Sequence, residues 1–183
     1  MKFFAPALLL SCAALLLAPR PAQPQTPSPK DVVAPTAYSS FDPVARGMSM
    51  RVAVVLKIRP GFHVNAREVS ADYLIRTDLR PEVPAGLKAE EVVYPKGTLQ
   101  SFSFSKDKKL NVYTDTVTLY LPIFVLAGAP LGPQHVPLKL RYQACSSEIC
   151  LPPVTLNLQA DLNITANRSS AQAAHPEIFA QKH

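Results

Sequence analysis

Between positions 48 and 59 the chain alternates strictly: Met48, Met50, Val52, Val54, Leu56 and Ile58 on one parity, Ser49, Arg51, Ala53, Val55, Lys57 and Arg59 on the other. A period of two places every second side chain on the same face of a strand, so one face of this segment is expected to enter a core, and Pro60-Gly61 to turn the chain away. The pattern recurs over residues 110–125, with Tyr113, Val117, Leu119, Leu121 and Ile123 in phase. It recurs again over Val136, Leu138, Leu140, Tyr142 and Ala144, and over Val154, Leu156, Leu158, Ala160, Leu162 and Ile164. Shorter strands are expected at 72–77 and 87–94, with turn chemistry at 80–86 and at Pro95-Lys96-Gly97. No segment of the body sustains a helical period. Strands punctuated in this way by Gly and Pro point to an all-β fold, an immunoglobulin-like antiparallel β-sandwich.

Ahead of the strands, Met1-Lys2 and the apolar run that follows match the charged and hydrophobic regions of an export signal, shorter than a membrane span requires. The expected division is a signal peptide at 1–22, a Pro-rich linker at 23–36, the immunoglobulin-like domain at 37–164 and a polar tail at 165–183. Leu9-Leu10-Ser11-Cys12 supports a competing reading, a lipoprotein signal in which Cys12 carries a lipid anchor. Both readings send the protein out of the cytosol, to the periplasm or another exported location. The formal charge is +6, but the cations are scattered. Their densest group, Lys106, Lys108 and Lys109 around Asp107, lacks interleaved aromatics and reads as a solvated loop, which argues against a nucleic-acid partner.

Removal of the signal leaves Cys145 and Cys150 as the thiols of an exported chain, where a close pair is expected to be oxidised for at least part of the time. Strand parity counted from Val136 puts Cys145 with Lys139, Arg141 and Gln143, off the apolar face. Ser146-Ser147-Glu148-Ile149 reads as a polar hairpin tip, and Pro152-Pro153 stiffens the exit. Glu148 would raise a neighbouring thiol pKa, whereas Arg141 or a protonated His63 would lower it. The spacing is not that of a Cys-x-x-Cys redox motif, and two cysteines alone give too few ligands for a metal. From the residues themselves, a fixed structural disulfide and a reversible redox pair both remain open.

Tyr142-Gln143-Ala144-Cys145, then Cys150-Leu151-Pro152-Pro153 and the following strand, resemble the signature of the amino-terminal periplasmic domain of the thiol:disulfide interchange protein DsbD. Gly61-Phe62-His63-Val64-Asn65, Tyr94-Pro95-Lys96-Gly97 and Val112-Tyr113 occur upstream in the order that family shows. The resemblance, over roughly residues 31–164, implies an immunoglobulin-like domain with protein-disulfide reductase chemistry and no cofactor or metal. Its Cys145–Cys150 pair would take electrons from a membrane redox partner and pass them to thioredoxin-like or other exported disulfide proteins. By the same resemblance Cys150 engages the partner and Cys145 resolves the mixed disulfide. Phe102 and Phe104 fall where the family carries a cap loop over its cysteines. His63 and Asn65 fall where it places residues facing them, with Tyr142 and Glu148 as further neighbours. The chain shows neither the polytopic membrane segment nor the thioredoxin-like domain of the whole family protein, so the electron donor is expected to be a separate protein. The alternatives are a non-catalytic immunoglobulin-like binding domain stapled by the same bridge, and an anchored lipoprotein scaffold.

Overall fold

Alternation becomes burial wherever a strand has one face on the core. The computed structural model describes residues 26–105 and 108–180; the signal segment, Cys12, Lys106 and Asp107 lie outside them. In chain order the first strands are β1 (Val33–Ser39), β2 (Val44–Ala45), β3 (Ser49–Ile58), β4 (His63–Asn65), β5 (Asp78–Pro81) and β6 (Leu87–Ala89). They are followed by β7 (Thr98–Gln100), β8 (Leu110–Tyr113), β9 (Thr116–Val125), β10 (Gly132–Tyr142), β11 (Ala144–Cys145) and β12 (Val154–Thr165). One sheet has the order β1-β3-β9-β6, a second β2-β12-β10-β5, and a third, smaller one β11-β4-β8-β7. All pairings are antiparallel except that of β2 with β12.

Met50, Val52, Val54, Leu56 and Ile58 of β3 are buried, as are Leu119, Leu121 and Ile123 of β9. From the facing sheet, Val136, Leu138, Leu140 and Tyr142 of β10 and Ala160, Leu162 and Ile164 of β12 join the same core. Each fully buried aliphatic side chain contributes about 1.5–3 kcal/mol, so this core stabilises the all-β sandwich that the alternation implied.

Three expected strands differ in detail. Residues 110–125 form two strands in different sheets, because Asp115 adopts a left-handed conformation (φ 57°) that ends β8 and redirects the chain into β9. Residues 72–77 are not a strand: Leu74 N–H closes a turn on Ala71 O (3.1 Å), and pairing begins only at Asp78. Within 87–94 the ladder is confined to β6, with a separate bridge at Val93–Tyr120. At the flanks, β1 begins inside the stretch read as linker. Beyond β12 the chain folds back, ending in a helical turn, α1 (Pro176–Phe179). There Arg51 Nη2 donates to Phe179 O (2.9 Å), its guanidinium lies over the rings of Tyr120 (5.1 Å) and Phe179 (5.5 Å), and Tyr120 Oη donates to Ile178 O (2.8 Å).

Gly97 sets the close approach of β7 to its neighbours. A Cβ at this position would lie 2.7 Å from Ala66 Cβ and would also run into the Asn111 amide. Gly97→Ala is therefore expected to destabilise the domain by about 1–3 kcal/mol through overpacking, measurable as a lowered urea midpoint at unchanged slope.

Candidate functional site

The hairpin that carries the cysteines begins where β10 leaves the second sheet. Ala144 and Cys145 of β11 pair not with β12 but with Val64 and His63 of β4. Leu151 N–H donates to Ala144 O and Ser146 N–H to Ile149 O, both at 2.8 Å. These two bonds bracket Cys145 and Cys150 as a non-hydrogen-bonded antiparallel pair, the register in which facing backbones approach most closely. Their Cα atoms are 4.0 Å apart and the sulfurs are joined in a disulfide. Ser146 orders the tip: its Oγ accepts from the N–H groups of Glu148 and Ile149, each at 3.1 Å. Gln143 Nε2 reaches across to Leu151 O (3.3 Å).

Parity placed Cys145 off the apolar face, and the side chain is nonetheless enclosed there: Cys145 is 1% exposed. The count from Val136 still separates the two faces here: Ala144, paired with Val64, belongs to the sandwich core, whereas Cys145 pairs with His63 and lies outside that cluster. Past Gln143 the chain joins the third sheet, where Cys145 lies beside its register partner His63, on whose ring Phe102 stacks. Cys150, by contrast, is exposed. The two sulfur-bearing residues thus stand in unlike environments, one enclosed and one presented at the hairpin tip.

His63 lies directly opposite Cys145 in the β4–β11 register and is 3% exposed. Phe102 stacks on its ring (centroids 4.0 Å apart, planes at 20°), and Phe104 stacks on Phe102 (5.4 Å, 12°). The segment bearing these phenylalanines leaves β7 and forms a single 3-10 turn at Ser103–Ser105. It is tied to the cysteine hairpin by Ser103 Oγ, which donates to Ser147 O (2.9 Å). Phe102 is half-buried, whereas Phe104 is 40% exposed. Burial pulls the His63 imidazole down to about 4. It is neutral at neutral pH, so it does not supply the positive charge that would depress a thiol pKa.

Asn65 is buried on the same strand, but its side-chain Nδ2 donates to Ile75 O (3.0 Å) and its backbone carbonyl accepts from Thr77 Oγ1 (2.6 Å), which anchors the 75–77 segment. Tyr142 belongs to the sandwich core: its hydroxyl donates to Pro29 O (2.7 Å), and burial pushes its pKa up to about 12. Glu148 is exposed at the tip, and Arg141 and Lys139 point to solvent from β10. Among the described residues no group of three His, Cys, Asp or Glu side chains is placed to hold a metal. A pocket of about 650 Å³ beside β8 is lined by Arg67, Tyr94, Lys96 and Asn111 among others, and by none of the cysteine-site residues.

Residues 30–161 match the family described as thiol:disulfide interchange protein DsbD, N-terminal. The chain belongs to this family. Among solved structures it is similar to the DsbD N-terminal domain of Neisseria meningitidis in its reduced form, at 18% identity and a TM-score of 0.46, covering 79% of this chain and 92% of that one. It is also similar to the N-terminal periplasmic domain of ScsB from Proteus mirabilis, at 11% identity and a TM-score of 0.45, covering 67% of this chain and 44% of that one. No curated protein matches the sequence. Membership of the DsbD N-terminal family associates the chain with thiol–disulfide interchange, and its disulfide is Cys145–Cys150. No helix among the described residues is long and apolar enough to cross a membrane.

Sequence reasoning did not find the Ser103–Ser147 hydrogen bond or the pairing of His63 with Cys145. Both join segments about 40 and about 80 residues apart through a small sheet that depends on tertiary context. It also missed the Asp78 carboxylate, which is held between Arg67 and Arg80 (Arg80 Nε to Oδ2 2.7 Å) and lies below its usual pKa; burial opposes the shift and the two guanidinium groups outweigh it.

Proposed function

We propose that this domain is an exported interchange module that receives electrons from a separate membrane redox partner and delivers them to oxidised exported proteins through reversible opening of Cys145–Cys150. The observation that carries this reading is the asymmetry of the pair: Cys150 is exposed at a hairpin tip while Cys145 is buried against β4. Exchange requires a partner thiolate to reach one sulfur in line with the other. An enclosed Cys145 directs that attack to Cys150 and leaves Cys145 as the resolving thiol. Exposed Ile149 and Phe104 at the hairpin tip and on the neighbouring loop give an apolar rim suited to a protein partner.

The loop bearing Phe102 and Phe104 acts as a cap that limits access by unselected thiols. Its hold is weak: aromatic stacking worth about 0.5–1.5 kcal/mol and one exposed hydrogen bond from Ser103. Such a cap yields to a docking protein. Phe102→Ala is expected to speed reduction of the disulfide by a small thiol by up to about tenfold, the rate equivalent of that stacking energy, as followed by stopped-flow alkylation.

The reading is tested with Cys145→Ala in the producing cell. A carrier accumulates partners as mixed disulfides on Cys150, released by reductant and visible on non-reducing gels. A binding domain with a fixed staple accumulates none, and that result would replace the interchange reading with the structural one.

A further inference from the structure

His63 and Cys145 are register partners on β4 and β11, so their side chains share one face of the small sheet with Cβ atoms about 4.5–5.5 Å apart. His63 Nε2 is buried and has no hydrogen-bond partner among the described residues. Phe102, stacked on the ring at 4.0 Å, adds to the cover. Asn65 Nδ2 is committed to Ile75 O, Tyr113 Oη to Pro95 O and Tyr142 Oη to Pro29 O, while Asn65 Oδ1 on the same strand is likewise buried without a partner among the described residues. A buried polar nitrogen without a partner is costly to the state that leaves it so. That state is the disulfide, in which neither sulfur has a proton to donate or a charge to accept.

We propose that His63 is the redox-linked hydrogen-bond partner of the Cys145 sulfur, satisfied only in the dithiol state and therefore favouring reduction of the pair. This inference rests on the interchange reading. In the forward step a thiolate of the reducing partner attacks Cys150 Sγ. A partner–Cys150 bond forms, the Cys145–Cys150 bond breaks, and the electron pair leaves on Cys145 as a thiolate. That thiolate accepts a hydrogen bond from His63 Nε2–H, or takes a proton from solvent and donates S–H to an unprotonated Nε2. The partner's second thiolate then displaces Cys150, which is protonated in turn. In sum the partner dithiol loses two electrons and two protons, and the Cys145–Cys150 pair gains them. His63 donates no net proton; it positions and stabilises the released sulfur.

The test is the thiol–disulfide equilibrium of the purified chain in glutathione buffers, measured with His63→Phe and His63→Gln. His63→Phe keeps an aromatic ring against Phe102 and removes the nitrogen. It is expected to move the equilibrium about tenfold toward the disulfide, a potential lower by about 30 mV, while His63→Gln restores part of the shift through its amide. A His63→Phe equilibrium within about twofold of the parent would overturn the proposal. A second measurement needs no variant: the ¹⁵N resonance of His63 Nε2 is expected to move when the unsubstituted chain is reduced with dithiothreitol, and an unmoved resonance would equally overturn the proposal. If glutathione cannot open the parent disulfide, the interchange reading fails, and the resonance of the dithiothreitol-reduced chain still decides whether His63 bonds Cys145.

Discussion

A Cys150→Ser chain is expected to fold and to lose interchange altogether. The stability side follows from loop length. Cys145 and Cys150 are five residues apart, and closing so short a loop in the unfolded chain accounts for only about 2 kcal/mol in the chain-entropy model. The hairpin is also held without the sulfurs, by the Ser146–Ile149 and Leu151–Ala144 backbone bonds and the Ser146 hydroxyl. Its surroundings are a core of fully buried Val, Leu and Ile side chains worth about 1.5–3 kcal/mol each. The activity side is all-or-none, because with Cys150 gone there is no disulfide to exchange and the remaining thiol, Cys145, is enclosed. Circular dichroism and urea melts of the variant should therefore resemble the parent within about 2 kcal/mol, while reduction of an oxidised partner falls to the uncatalysed rate. A variant that unfolds would instead identify the bridge as a structural staple.

Acid should destabilise the domain through His63. The imidazole sits at about 4 in the folded chain, lowered by burial from its ordinary 6.5. A base with a depressed folded pKa binds its proton more readily when unfolded, so stability rises with pH between those two values. It is complete above about pH 6.5 and is lost as pH falls toward 4. Between pH 7.5 and 4.5 the loss amounts to roughly 2–3 kcal/mol. The carboxylates of Asp78 and Asp161, both held below their usual range, titrate beneath this window. Urea midpoints at the two pH values should separate accordingly in the parent and converge in His63→Phe, which has no proton to take up.

The sandwich was legible because its long strands each keep one face on the core over several residues. In β3 the buried set runs Met50, Val52, Val54, Leu56, Ile58, and in β10 Val136, Leu138, Leu140, Tyr142. The third sheet was not legible: β4 and β11 span three and two residues, too short to display a period. Cys145 shows the consequence: parity put it off the apolar face, but no local pattern showed that this second face is enclosed as well. At Asp115 the apolar parity does change, from Leu110 and Val112 to Val117, Leu119 and Leu121, but the left-handed backbone that sends the two halves into different sheets is not itself encoded in that spacing. Phe102 and His63 were each singled out by family resemblance, but their stacking depends on a register between distant segments that no local pattern encodes.

The central claim, a reversible Cys145–Cys150 pair, is tested most directly by equilibrating the purified chain with glutathione and counting free thiols. The expected result is a pair that opens and closes within the accessible range, at a potential more oxidising than about −300 mV. A disulfide that stays closed throughout, with a potential below that value, would contradict it.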